Sequence, residues 1–346
     1  MGGLQIKSPG FSVDTLLILK RLLMTTNKIP VIERMGIRPQ FPRLTAYLKS
    51  EKKRADEGEN DPFIRLERYA KEGGGFVFNY RYSTLGEREY HFYNVHQDLM
   101  LVTNALRIDA IQAAFGEGSW QVIWQRSNAY AYWYWRMKYI THRQIFDEFE
   151  NGKRTQYLGT LSLQRMGNVI ADCLALGWPD WAIDLSERAH WALDHGGFFD
   201  GGDLHHLRTQ CFILRLIGDW QDWPERVWPS WAMDEPIFNA LVEHWRTPNP
   251  DDIAPLLLAA CDRHTYQSKA QSSTAQWDIS NSDAWYDPYE ILTIFKLREL
   301  HGLDNPVLDH LLMNTPLGKL SEAVPPYTDE LLEGVLAEAM KEYTDF

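Results

Sequence analysis

The sequence predicts an all-α fold, in which a helical N-terminal region precedes an α-solenoid-like C-terminal domain of helical hairpins. Apolar residues recur at helical spacing through most of the chain, for example from His91 to Phe115. Gly177, Gly218 and Gly302 each follow an apolar helical segment, where glycine commonly ends a helix. These glycines lie 41 and 84 residues apart, close to one and two periods of a helical hairpin.

Charge divides the chain near Asn151-Gly152-Lys153, and we predict a domain boundary there, between residues 1–150 and 151–346. Residues 1–150 carry 21 Lys or Arg against 17 Asp or Glu, whereas residues 151–346 carry 14 against 30. The net charge is therefore +4 in the first part and −16 in the second. An acidic C-terminal half repels nucleic acid and favours a basic partner, whose approach it accelerates.

Composition places the chain among globular proteins. Its 346 residues are 45% hydrophobic and 13% aromatic, which excludes a disordered chain and provides for a sizeable core. Cys173, Cys211 and Cys261 are too few and too widely spaced for a disulfide framework or a Cys-based zinc site. The N-terminal run LLILKRLLM does not match a signal peptide, and no apolar run approaches the roughly 18–20 residues that span a membrane. We expect a cytoplasmic protein that does not enter a membrane.

The first 61 residues predict a helix, an extended segment and a loop. Helical spacing over 11–24 indicates the first helix. Three prolines then disfavour a helix over 29–44, which predicts an extended segment that crosses the domain. The charged run over 51–61 predicts a solvated loop.

Three further segments complete the N-terminal half. Asp61-Pro62 is typical of a helix start, and the glycines at 73–75 are typical of a helix end. Aromatic alternation over 76–82 has the period of a strand, but within an α domain we favour an irregular or helical segment. Helices are expected from His91 to Phe115 and from Trp120 to Phe149, the second with aromatic residues that pack the core or a domain interface.

In the second half, helices alternate with corners that are rich in tryptophan and acid. Pairs of tryptophans three residues apart occupy three of these corners: Trp178 and Trp181, Trp220 and Trp223, and Trp228 and Trp231. Such pairs either cap the corners between helices or project as anchors for a partner. A polar, serine-rich loop over 266–287 precedes a helix that Pro288 opens, and long loops in compact domains are often functional. The last helix is expected to begin at Thr328.

Motifs for catalysis or metal binding are weak throughout the sequence. No P-loop, dinucleotide-binding glycine motif or nucleophile elbow occurs. The best candidate for a metal or acid–base site is the segment 190–206, which holds His190, Asp194, His195, Asp200, Asp203, His205 and His206. His190 and Asp194 share one helical face, but helix caps, surface polar groups and an acidic recognition loop are alternative interpretations. We expect no enzymatic activity and no cofactor, with a metal-dependent hydrolase as the alternative.

The C-terminal half resembles a known family. The order MGNVIADCLALG, WAIDLSERAHWAL, a polar hairpin and then WYDPYEILTIFKLRELHGLDNPVL is similar to helical immunity proteins of bacterial polymorphic toxins, particularly those that protect against type VI secreted nucleases. The resemblance covers roughly residues 160–310. Trp285, Tyr286, Glu290 and Leu303-Asp304 occupy places comparable to the aromatic-plus-Glu helix and the following turn of that family.

The resemblance implies a protein that binds a cognate toxin and covers its active site without turnover. Because a nuclease cleft must hold phosphates, it is basic, and an acidic surface with tryptophans complements it. The residues expected to face the toxin are Asp200, Asp203, Asp219, Trp220, Asp222, Trp223, Asp283, Trp285, Asp287 and Glu290. A general α-solenoid scaffold is the alternative binding function.

Overall fold

The computed structural model describes residues 29–56, 61–79, 87–116, 118–199, 204–272 and 274–343. Within these residues the all-α prediction is confirmed, because eleven α-helices accompany one two-stranded antiparallel hairpin. The first predicted helix, over 11–24, lies outside the described residues. None of the described helices is long and apolar enough to cross a membrane.

The N-terminal part is built around a pair of long helices. Its elements in chain order are α1 (Leu44–Asp56), α2 (Asp61–Glu72), β1 (Val77–Asn79), β2 (Glu87–Glu89), α3 (Phe92–Ala114) and α4 (Trp120–Glu150). Helix α3 buries Val95, Leu99, Val102 and Leu106, whose spacing of three or four residues gives one apolar face. This helix packs along α4, and both helices match the predicted boundaries to within a residue.

The second part surrounds one central helix. Its elements are α5 (Leu163–Ala175), α6 (Pro179–Asp194), α7 (Arg208–Trp220), α8 (Pro236–His244), α9 (Pro250–Gln267), α10 (Tyr289–Leu300) and α11 (Glu330–Glu342). Every residue of α5 except Arg165 is buried, because α4, α6, α7 and α10 all pack against this helix. Gly167 permits the close approach of α7, since a Cβ there would lie 2.7 Å from the Cγ of Gln210.

Three helix corners share one backbone arrangement. Gly177 and Gly302 have φ of +81° and +68°, and each follows a helix as the left-handed residue of a Schellman motif. At the third corner the predicted exit, Gly218, is wrong, because α7 continues to Trp220. Asp222 takes the left-handed conformation instead, with φ of +51°, and the N–H of Trp223 donates to the carbonyl of Gly218 at 2.9 Å. Asp tolerates this conformation better than most residues, so an acid rather than a glycine turns this corner.

Two predictions of local structure were wrong. Residues 51–56 belong to α1 and not to a solvated loop, because tertiary contacts with α3 stabilise the helix. Glu51 is fully buried and accepts a hydrogen bond from the hydroxyl of Ser282 at 2.7 Å. Residues 77–79 form strand β1 and not an irregular or helical segment, and Val77 pairs with Glu89 in the antiparallel hairpin. The aromatic alternation in the sequence does have the period of a strand.

Several contacts join the two parts of the chain. The extended segment over 29–43 is confirmed and crosses to α9, where the guanidinium of Arg34 donates to both carboxylate oxygens of Asp262 at 2.8 and 2.9 Å. Helix α11 returns to pack against α2, and one hydrophobic cluster contains residues from both parts. The domain boundary at residue 150 stays a prediction, but side chains on its two sides share one core.

Candidate functional site

The corner between α7 and α8 brings together four of the residues that were predicted to bind a partner. We call residues 219–235 the Trp loop. Asp219, at its start, accepts a hydrogen bond from the indole N–H of Trp245 at 2.8 Å and forms an ion pair with Arg246. Both partners directly follow α8. These contacts therefore hold the start of the Trp loop, at the end of α7, against the end of α8.

Two more ion pairs hold the Trp loop in place. Arg226 reaches across to α6, where its Nη1 donates to Asp194 at 3.0 Å. At the far end of the loop, Arg208 of α7 donates from its Nη2 to Asp234 at 2.9 Å. The loop is therefore tied to three helices although it contains only one turn of 3-10 helix, Ser230–Met233.

The tryptophans of the loop pack inward. Trp220, Trp223, Trp228 and Trp231 are all half-buried against the hydrophobic core. This arrangement agrees with the interpretation that they cap corners, and it leaves their outer edges accessible. Val227, at the tip, is 95% exposed and is the most exposed apolar side chain of the loop.

His190 and Asp194 of α6 were the best candidates for a metal or acid–base site, and both are engaged with the Trp loop. The ring of His190 lies 5.3 Å from that of Trp223 and 5.6 Å from that of Trp228. Burial, together with the nearby Arg226, lowers the pKa of His190 to about 4, so the ring is neutral near pH 7.

Asp194 is paired with Arg226, and this ion pair lowers the pKa of its carboxyl group. Asp200 and Asp203 lie outside the described residues. Among the described residues, no group of three or more His, Cys, Asp or Glu side chains could hold a metal ion. The described part of 190–206 therefore supports the Trp loop and offers no set of free ligands.

Most of the exposed charged side chains in the second part of the chain are acidic. In the described part of 151–343, sixteen acidic side chains are exposed, against five basic ones. The basic ones are Lys153, Arg154, Arg165, Lys319 and Lys341. Six of the acids fall within residues 222–252, namely Asp222, Glu225, Asp234, Glu243, Asp251 and Asp252. The charge excess read from the sequence is thus carried by accessible groups.

Asp287 and Glu290 of the other predicted group, around residues 283–290, are buried, whereas Asp283 and Trp285 are half-buried. Arg107 of α3 is buried and contacts three carboxylates: Asp172 at 2.7 Å, Asp287 at 2.7 Å and Asp283 at 3.0 Å. We call these four residues the Arg107 centre. Its guanidinium also lies over the ring of Trp124, at 4.2 Å from the ring centroid. Residues from α3, α5 and the loop before α10 therefore meet at one buried charge cluster.

The prediction that Asp287 and Glu290 face a partner is corrected by their burial. Each is 1% exposed, so neither carboxylate touches anything outside the protein in this conformation. Glu290 lies 2.8 Å from Nδ1 of His264, and the indole N–H of Trp285 donates to the carbonyl of Ile279 at 3.0 Å. Asp283 is the most accessible acid of the Arg107 centre, with its side chain 20% exposed.

Burial raises the pKa of Asp172 and raises that of Asp287 well above its usual value, although attraction to Arg107 opposes both shifts. Burial alone would lower the pKa of Arg107, but the three carboxylates raise it instead. Both carboxyl groups contact the same guanidinium, Asp172 through Nη1 and Asp287 through Nη2. In the Arg107 centre, burial therefore favours the neutral forms of Asp172 and Asp287, whereas the charge of Arg107 favours their ionised forms.

A testable consequence is the effect of pH on stability. A carboxyl group whose pKa is raised on folding contributes stability below its unfolded pKa of about 3.9, and this stability is lost as pH rises through the folded value. Asp287→Asn replaces the acid by a neutral hydrogen-bonding group, so we expect the variant to lose less stability than the native protein between about pH 5 and about pH 8. Urea unfolding at the two pH values measures the difference.

The matched control is Asp304→Asn, at an exposed acid after α10. This variant should show the same pH dependence as the native protein, because an exposed carboxyl group is hydrated in both states. If Asp287→Asn and the native protein had the same slope of stability against pH, the raised pKa of Asp287 would not contribute to the pH dependence of stability.

Sequence reasoning missed Arg107 and Asp172, the two members of the Arg107 centre that lie within helices. Both occur inside apolar helical segments, at positions that the helical period places on the buried face. A charged residue on a buried face is rare unless it is paired, so this pattern could have identified them as partners. The helical pattern could not have shown that Asp283 and Asp287, in the loop over 266–287, contact Arg107 as well.

Comparisons with known proteins returned no match. No protein-family model matches the chain, and no curated protein and no solved structure is significantly similar to it.

Proposed function

We propose that the protein is an immunity protein, which binds a cognate antibacterial toxin and neutralises it without turnover. The partner is a basic nuclease domain, and the Trp loop with its surrounding acids is the surface that covers the active site. The observation that carries the proposal is the concentration of exposed acid over 222–252 around a loop that three ion pairs hold in place.

The physical support comes from charge and rigidity. A nuclease needs a positive cleft to hold phosphates, and an acidic surface accelerates the encounter with such a cleft. Because ion pairs already order the Trp loop, little conformational entropy is lost when it binds. The outer edges of four half-buried tryptophans and the exposed Val227 supply apolar area at the centre of this surface.

A protection assay tests the proposal directly. The product of each reading frame adjacent to the gene for this chain is expressed in a bacterial host with and without the chain, and one of these products is expected to be the toxin. We expect growth only when both are present, and a stable complex of the two purified proteins. Killing that the chain does not prevent, with no complex in solution, would overturn the proposal. A scaffold would instead bind several unrelated proteins and would not protect against one toxin.

The Trp loop can be tested separately with two matched substitutions. Val227 and Val307 are 95% and 99% exposed, so Val227→Arg and Val307→Arg add the same group to two different loops at little cost in stability. We expect Val227→Arg to weaken toxin binding by about tenfold or more, because it places a bulky cation where a basic partner docks. Val307→Arg should bind as the native protein does, and equal effects of both would remove the Trp loop from the interface.

A further inference from the structure

Two short segments that follow helices α4 and α6 lie side by side in a parallel arrangement. We call residues 158–161 and 197–199 the ribbon. The N–H of Leu161 donates to the carbonyl of Gly197 at 3.1 Å, and the N–H of Phe199 donates to the carbonyl of Leu161 at 2.8 Å. These two hydrogen bonds fix how the segments are aligned.

The outer face of the ribbon carries two large apolar side chains. Exposure alternates along the first segment, since Leu158 and Thr160 are exposed whereas Gly159 and Leu161 are not, as in a strand with one buried face. Leu158 is 70% exposed, and Phe199 on the neighbouring segment is 60% exposed. One exposed apolar side chain is common at protein surfaces, but two on adjoining segments form an apolar surface of the kind that contacts other molecules.

His142 of α4 holds the ribbon in place. Its Nδ1 lies 3.0 Å from the hydroxyl oxygen of Thr160, and its Nε2 lies 2.5 Å from that of Tyr157. Burial lowers the pKa of His142 to about 4, so the ring is neutral near pH 7 and can donate from one nitrogen and accept at the other. The second segment passes close to this ring, because a Cβ at Gly197 would lie 2.8 Å from Nε2. The apolar pair therefore has an ordered support and loses little conformational entropy when a partner covers it.

The ribbon adjoins the Trp loop at the end of α6. Its second segment closely follows Asp194, the last residue of α6, whose carboxylate accepts a hydrogen bond from Arg226 of the Trp loop at 3.0 Å. The ring of His190, one turn earlier on α6, lies 5.3 Å from that of Trp223. The end of α6 thus connects the Trp loop to the ribbon.

The Trp loop by itself is smaller than a typical protein interface. A specific interface takes roughly 20–30 residues from each partner. The Trp loop spans only residues 219–235, and its exposed large apolar side chains are Val227 and Met233. A partner that binds at the Trp loop is therefore expected to reach beyond it, and the end of α6 continues the surface towards the ribbon.

We propose that Leu158 and Phe199 form a second apolar anchor for the same toxin. The Trp loop and its acids face the basic cleft, and the anchor packs against an apolar patch of the toxin that borders the cleft. This inference rests on the proposed function, because its occupant is the toxin. Burial of the anchor slows dissociation of the complex, whereas the exposed acids accelerate its association.

The test uses the full chain and the toxin identified by the protection assay, with both rate constants measured on a biosensor. Leu158→Ser and Phe199→Ser should each weaken the complex about fivefold to tenfold, and almost entirely through faster dissociation, because neither substitution changes a charge. The loss should be the same at low and high salt, since salt screens only charged groups. The matched control is Ile64→Ser on α2, where Ile64 is 61% exposed, and it should leave both rates unchanged.

Unfolding midpoints equal to that of the native protein show that the ribbon variants are folded. If Val227→Arg weakens the complex while both ribbon variants bind as Ile64→Ser does, the Trp loop is the interface and the anchor alone is overturned. If the native chain binds no product of an adjacent reading frame, the proposed function fails and the anchor with it. A native dimer in light scattering that both ribbon variants convert to a monomer would assign the apolar surface to a second copy of the chain, which also overturns the proposal.

Discussion

Replacing Arg107 by methionine is expected to lower the free energy of unfolding by about 3–5 kcal/mol. The substitution keeps most of the side-chain length but leaves Asp172, Asp283 and Asp287 without their shared cation. Removing one partner of a buried ion pair costs much more than the pair itself contributes, because the remaining charge stays buried. Urea unfolding followed by tryptophan fluorescence measures the change.

Two further variants show whether charge is the cause. Arg154→Met removes an arginine whose ion pair with Glu148 lies at the surface, and it should cost far less stability than Arg107→Met. Adding Asp172→Asn and Asp287→Asn to Arg107→Met should restore part of the lost stability, because it removes the uncompensated carboxylates. A cost for Arg107→Met no greater than that for Arg154→Met would contradict the prediction.

The second large effect concerns association with the proposed toxin. The triple variant Asp222→Asn, Glu225→Lys and Glu243→Lys is expected to slow association by about tenfold or more at low salt. These acids are exposed at the Trp loop and on α8, and asparagine keeps the left-handed conformation that residue 222 adopts. The loss should shrink at about 0.5 M salt, because salt screens interactions between exposed charges.

A matched triple variant controls for total charge. Glu67→Gln, Glu33→Lys and Glu87→Lys change the net charge by the same amount, at exposed positions in the N-terminal part of the chain. Stopped-flow or biosensor association rates at two salt concentrations compare the two sets. If both triples slowed association equally, net charge and not the Trp loop surface would steer the encounter.

Helices were the most predictable feature of this chain. The bounds of α3 and α4 follow from apolar spacing and from the polar or glycine residues beside them, all of which are local in sequence. The charged run over 51–56 was predicted as a loop, because nothing local shows that α3 covers it. The corner at Asp222 was also missed, since glycine is only the most common residue in that conformation and not a required one.

The candidate site was predictable in part. The sequence identified the acidic, tryptophan-rich character of the corner between α7 and α8, where Asp222 is exposed and Trp223 half-buried. It also grouped Asp287 and Glu290 with that surface, although both are buried elsewhere. The sequence shows where the acidic residues are along the chain but not which residues pack around them. That packing decides whether a carboxylate is exposed to solvent.

The sequence by itself determined the helical class, the order of most helices and the excess of acid in the second half, because spacing, capping and composition are properties of neighbouring residues. Only the tertiary structure decided which acids reach the surface. Arg107 meets Asp287 across 180 residues of chain, and the folded core brings them together. Asp287 forms an ion pair with the buried Arg107 and is itself buried, whereas Asp222 lies at the surface.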